Sequence, residues 1–196
     1  MITGLARATA AAVIAVTLAG CMLAEKFQAT ITIKPDGTFN YKFDGTAVDF
    51  LALLAIHSNG SLSAKDEEML RKRADNPKPN SGIRKIAYLG KGRYDVSFDK
   101  DGSPKETYLV PAGLMEVKQT APDTYRISGN ALNPRDRVSL EGIGTKPDGT
   151  IEVILPKGAS VETHNADSTP GLFSRAYKWR IKSYDQAPHI IFKLKT

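Results

Sequence analysis

The chain has 196 residues, 41% of them apolar and 24% charged, with 27 Lys plus Arg against 21 Asp plus Glu for a net charge of +6. The length suits one domain or two small ones packed together, and one is the simpler reading. The cations are spread along the chain, with one local cluster at Arg71-Lys72-Arg73 and no arginine-rich arm. Nucleic acid is therefore a poor candidate partner, and the mild basicity reads as a soluble surface that tolerates anionic lipid headgroups or cell-wall polymers nearby.

Within the first twenty residues Arg7 is the only charge, and Ala8 to Ala19 make a short apolar run ending in small side chains. A membrane-spanning helix needs about 20 apolar residues. The stretch from Ala8 to Leu23 contains Thr9 and Thr17 and stops at Glu25-Lys26, so it is short for that purpose. The residues Leu18-Ala19-Gly20-Cys21 resemble the lipobox of bacterial lipoprotein precursors cut by signal peptidase II. This resemblance implies a signal peptide over 1–20, thioether diacylation of Cys21, a lipidated tether over 21–26 and a single β-rich domain over 27–196. Loss of Arg7 with the leader would leave 176 residues with a net charge of +5. An uncleaved anchor, or cleavage by the ordinary signal peptidase near Ala19 or Ala24, would leave the globular part unchanged. Lipidation is preferred because Cys21 is the only cysteine and so has no partner for an internal disulfide. Each buried CH₂ of an acyl chain contributes about 0.8 kcal/mol to membrane attachment. The expected product is a tethered domain facing the periplasm or exterior. Met22 stands where enteric-type lipoproteins retained at the inner membrane carry aspartate, which favours the outer membrane if the host has two.

In chain order, Phe27, Ala29, Ile31 and Ile33 alternate with polar residues, the period of a half-buried strand. Pro35-Asp36-Gly37 predicts a turn, and Phe39, Tyr41 and Phe43 put three aromatics on one face of the return strand. Ala47 to Ile56 reads as an apolar helix capped by Thr46 and stopped at Asn59-Gly60, with Asp49 its only charge. Such a helix needs cover on most of its circumference, by a sheet and second helix or by lipid, and a buried core helix is the preferred reading. A second, solvated helix follows from Ser63, with acids ahead of bases along Asp66 to Ala74. The breaker cluster from Asn76 to Gly82 predicts a loop.

Beyond Ile83 the punctuation is that of short strands. Lys85 to Leu89 and the alternating Tyr94, Val96 and Phe98 flank Gly90-Lys91-Gly92, which predicts a hairpin. Asp99-Lys100-Asp101-Gly102 reads as a further turn; it is no calcium loop, because Val110 holds the twelfth position where a glutamate is needed. Further strands are predicted over Thr107 to Pro111, Leu114 to Gln119, Thr124 to Ser128 and Arg137 to Gly142. Lys146 to Thr150 repeats the Lys-Pro-Asp-Gly-Thr of Lys34 to Thr38 and predicts a second use of the same turn. After it come an alternating Ile151, Val153 and Leu155, a polar loop over Val161 to Ala166, a strand with Tyr177, Trp179 and Ile181, and a closing strand from Ile190 to Leu194. The expected fold class is α+β, a mostly antiparallel curved sheet or sandwich of short strands with two helices inserted after the first hairpin.

An Asn165-Ala166 segment, a strand carrying Trp179 and a closing apolar strand, together with the opening strand, Pro-Asp-Gly turn and second strand, are similar to LppM-type bacterial lipoproteins. The similarity spans the first and last thirds and leaves Asn59 to Arg137 unmatched. It implies an α+β domain with a curved sheet and an apolar cavity, and a link to lipid or glycolipid handling without catalysis. The residues predicted to line such a pocket are Phe39, Tyr41, Phe43, Phe50, Leu54 and Trp179.

Catalytic patterns are weak. His57, His164 and His189 lie in no metal-ligand spacing, so neither a metal nor a cofactor is expected. Ser61, Ser81 and Ser103 stand in no nucleophile elbow, and His164, Asp167 and Ser168 lie too close in sequence to assemble a triad readily. Glu67-Glu68 sit on a polar helix where solvation explains them, and Gly142-Ile143-Gly144 leads into no phosphate-binding helix. The expectation is a membrane-anchored, non-enzymatic envelope lipoprotein binding a lipid, glycolipid or other envelope ligand. The alternative is a structural or assembly factor that engages a protein partner through a sheet edge or the basic stretch from Arg71 to Lys78.

Overall fold

A computed structural model describes residues 22–77, 79, 81–104, 108–109, 115–129, 131–172 and 174–195. Leu18, Ala19, Gly20 and Cys21 lie outside them. The architecture is α+β and sandwich-like, with two mostly antiparallel sheets.

The first hairpin pairs β1 (Met22–Ile33) with β2 (Phe39–Asp49). Its turn is the expected one: Gly37 N donates to Lys34 O at 3.0 Å, and Asp36 accepts from the Thr38 amide at 3.0 Å. Gly37 holds φ 82° with the Tyr125 hydroxyl 2.3 Å from where a Cβ would stand, so conformation and space both require glycine. The strand expected from Phe27 already begins at Met22, so 22–26 belong to β1. β2 likewise absorbs Ala47 to Asp49, and α1 (Phe50–Asn59) starts three residues later than expected. Its cap is Asp49 rather than Thr46; the carboxylate accepts from the Ala52 amide at 3.1 Å, a partner that no hydrophobic pattern reveals. Gly60 closes α1 in the left-handed conformation.

α2 (Ala64–Asp75) is capped by Ser63 as expected. β3 (Ile83–Gly90) and β4 (Arg93–Gly102) form the predicted hairpin around Lys91. Asp99 to Gly102 are not a turn: they continue β4 against Phe39 to Lys42 of β2. β5 (Tyr108–Leu109), β6 (Glu116–Gln119) and β7 (Thr124–Ser128) follow. The segment expected as a strand from Arg137 is α3 (Pro134–Gly142), because Asn133 accepts from the Asp136 amide at 3.0 Å and Pro134 is preset for a first helical turn. The second Lys-Pro-Asp-Gly-Thr also departs from expectation: Asp148, Gly149 and Thr150 open β8 (Asp148–Ile154) and pair with β1. Gly149 stands there because the Phe27 ring would lie 2.6 Å from any Cβ. The polar segment expected as a loop is β9 (Ser160–His164), and β10 (Ala176–Ile181) and β11 (His189–Lys193) complete the order.

One sheet runs β10-β8-β1-β2-β4-β3 and the other β5-β6-β7-β11-β9. The inner face of the first sheet is shared by two partners. Phe27, Ile31, Phe39 and Tyr41 pack with Val117, Tyr125, Ile127, Ile190 and Phe192 of the second sheet in one core. Near the Met22 end the same sheet meets the helices, where Tyr94 packs with Ala52, Leu70 and Ala74 and its hydroxyl donates to Leu70 O at 3.1 Å.

Candidate functional site

Four of the aromatics predicted to line a pocket, Phe39, Tyr41, Phe43 and Trp179, lie in the core. Phe39 and Tyr41 are fully buried, and Phe43 and Trp179 nearly so. Tyr41 lies against Phe98 with ring centroids 5.6 Å apart, and Phe43 stacks on Phe27 at 5.9 Å. Phe50 and Leu54 do not join them: α1 starts where β2 ends, and Phe39 stands at the opposite end of that eleven-residue strand. Leu54 is 38% exposed. Phe39, Tyr41, Phe43 and Trp179 share one core cluster with Val117, Ile127, Ile190 and Phe192 of the second sheet. The buried core helix is corrected as well, since only Ala52 and Leu53 of α1 are buried.

The opposite face of the first sheet offers a cleft of about 430 Å³. Its floor is two cross-strand rows set by register: Arg180, Thr150 and Gln28 in one, Lys178, Glu152 and Thr30 in the next. Its wall is the segment before β10, which lies along that strand's edge. Asp167 N donates to Lys178 O at 2.9 Å, Lys178 N donates to Ser168 O at 2.9 Å, and Arg180 N donates to the Asp167 carboxylate at 2.6 Å. The Lys178 ammonium holds Glu152 at 2.7 Å, whereas Arg180, which is exposed, has no ion-pair partner among the described residues. The cleft thus presents hydroxyls, an amide, a compensated ion pair and one available guanidinium, a set that hydrogen-bonds polar ligands and can pair with an anion. A second hollow of about 340 Å³ lies between Leu155 to Val161 and Pro170 to Tyr177.

The segment that builds the wall is anchored by Asn165. Its Oδ1 accepts from Trp179 Nε1 at 2.8 Å and from the His189 amide at 2.8 Å, and its Nδ2 donates to Ala187 O at 2.9 Å. One side chain therefore ties the end of β9 to β10 and β11. His164, Asp167 and Ser168 serve the same local architecture. His164 Nδ1 accepts from the Ala166 amide at 3.1 Å, and its ring meets Tyr177 edge-on at 5.0 Å. Among the described residues no group of three His, Cys, Asp or Glu side chains is placed to hold a metal ion, and no helix is long and apolar enough to cross a membrane.

The cleft residues escaped the sequence reading because each is an ordinary outward polar position of an amphipathic strand. The sequence shows that Gln28 and Thr30 face away from the core; only the parallel β1 and β8 register brings Thr150 and Glu152 beside them.

Fold and cleft together define the class: an α+β, two-sheet protein with a polar face left open. Among solved structures the chain is similar to the folded domain of the Mycobacterium tuberculosis LppM protein, determined by NMR, with a TM-score of 0.41 and 14% identity over 89% of this chain and 92% of that one. No family model and no curated protein matches the chain.

Proposed function

We propose that this chain is a lipid-anchored, non-enzymatic lipoprotein of the bacterial cell envelope that holds a polar ligand, a glycolipid headgroup or a segment of wall polymer. The anchor rests on Leu18-Ala19-Gly20-Cys21 and the apolar run before them. The binding reading is carried by the 430 Å³ cleft over β1, β8 and β10. Hydroxyls and an amide beside the Glu152 and Lys178 pair suit a hydroxyl-rich ligand, Arg180 suits an anionic group on it, and an acyl chain would find Ala29 as the one apolar residue of the lining. Gln28 and Thr30 stand six and eight residues along β1 from Met22, about 20 to 26 Å at 3.3 Å per residue. That distance is within reach of headgroup sugars or wall polymer above a bilayer.

A protein partner added at a sheet edge has less support. The edge strand β3 is interrupted by register shifts at Ile83/Lys85 and Tyr88/Gly90 and carries exposed Arg84 and Lys85, features that discourage strand addition. In the basic stretch Arg73 is held by Asp49 and Lys72 lies 3.4 Å from Glu68.

Native mass spectrometry on the mature chain purified from its own envelope tests the reading. A discrete glycolipid or wall fragment should co-purify and be lost from Thr150→Trp, which fills the cleft. An empty wild-type chain overturns the ligand. Cys21→Ser should lose membrane retention, and unchanged fractionation overturns the lipid anchor.

A further inference from the structure

Helix α1 contains no Asp, Glu, Lys or Arg, yet among the described residues only one side of it is covered. Ala52 and Leu53 are buried, whereas Leu51 is 62% and Leu54 38% exposed. With Ala55 these two leucines occupy positions i, i+3 and i+4, one helix face. Asp49, the acid that precedes α1 in the chain, is turned into the fold, where it caps α1 and binds Arg73 at 2.7 Å.

What lies beside that face follows from register. Met22 pairs with Asp49, and α1 begins at the next residue, Phe50. The chain preceding Met22, with Cys21 and the apolar run from Ala8 to Ala19, therefore joins the domain next to the first turn of α1. The tip of the β3 and β4 hairpin is at the same end: Asp49 N donates to Gly92 O at 2.8 Å, and a Cβ on Gly92 would come within 2.5 Å of Ala52. That hairpin carries Leu89, 58% exposed, and the exposed Lys91.

We propose that this end of the domain docks on the bilayer surface, with the Leu51 and Leu54 face of α1 seated in the headgroup layer beside the anchor. The inference rests on the anchor reading and adds an orientation to it. Apolar side chains on an interfacial helix bury about 5 to 10 Å into the boundary between headgroups and acyl chains, and cations such as Lys91 favour anionic lipid. β1 then leads away from the membrane and carries the polar cleft outward, where its ligand would be met.

The test uses the full chain after processing, with Cys21 acylated, so that an introduced cysteine is the one available thiol. A fluorophore sensitive to nitroxide quenching is placed on Leu54→Cys or on Leu172→Cys, and each protein is reconstituted into vesicles of phosphatidylethanolamine and phosphatidylglycerol containing shallow nitroxide lipid. Leu172 is 98% exposed in the segment before β10, whose Ala176 pairs with Ile154, itself the partner of Thr32 at the far end of β1. Quenching at position 54 should exceed that at 172 by at least about twofold. Equal quenching on chains that float with the vesicles overturns the docking and leaves the anchor intact. Chains that do not float overturn the anchor, and the docking with it.

Discussion

Replacing Asp49 by alanine should loosen both helices at once. Asp49 is 4% exposed; one carboxylate oxygen accepts from the Ala52 amide at 3.1 Å and the other from Arg73 Nη1 at 2.7 Å. Loss of an aspartate cap costs about 1 kcal/mol. The bond to Arg73 is charge-assisted, but Arg73 is 41% exposed and recovers water when released, so about 1 to 2 kcal/mol is appropriate after that discount. The sum is about 2 to 3 kcal/mol, or roughly 5 to 10 °C in Tm for a chain of this size. Asp49→Asn retains the cap and should cost only the ionic part, about 1 kcal/mol. Urea denaturation followed by circular dichroism measures both, and a double-mutant cycle of Asp49→Asn with Arg73→Met should return a coupling of about 1 kcal/mol. The reasoning is refuted if Asp49→Ala shifts stability by less than about 0.5 kcal/mol, or if alanine and asparagine cost the same.

Three further outcomes are expected. Burial pushes the Tyr94 hydroxyl up to about 12 from its ordinary value of 10.0. The folded state therefore keeps a proton that the unfolded chain has lost, and stability is full below pH 10 and falls as pH rises toward 12; Tyr94→Phe should flatten that slope in alkaline denaturation curves. Asn165→Ala should cost about 1 to 3 kcal/mol, since it strips the Trp179 Nε1 donor and the His189 amide of their acceptor, and it should red-shift the tryptophan fluorescence; an unchanged spectrum would contradict the bridging role. Gly149→Val drives a side chain into the Phe27 ring and should lower stability by about 1 to 3 kcal/mol, whereas a true turn glycine at that site would tolerate it only by changing backbone conformation.

Strand periodicity, Pro-Asp-Gly turn chemistry and helix formers are local, and they identified β1, β2, β7 and the α2 cap, the α+β class, and the insertion of two helices after the first hairpin. The same local signal misled wherever a residue's partner is distant in sequence. Two identical Lys-Pro-Asp-Gly-Thr strings became a turn at Lys34 to Thr38 and a strand start at Asp148 to Thr150, because the second lies against β1. A local signal was also passed over: the Asn133 cap on Asp136 and Pro134 in the first turn start α3 where a strand was expected. The aromatic face of β2 was legible as apolar, but whether it surrounded a ligand or met another sheet depended on the approach of β7 and β11, more than eighty residues away. The sequence by itself determined which side chains of the strands leave water. Only the tertiary structure decided that Tyr41 meets Phe98 and Phe43 meets Phe27, that α1 exposes Leu51 and Leu54, and that polar residues of three strands meet in one cleft. The physical reason is that burial and turn preferences are properties of short segments, whereas a cavity or a site is set by the register and packing of segments that no local pattern relates.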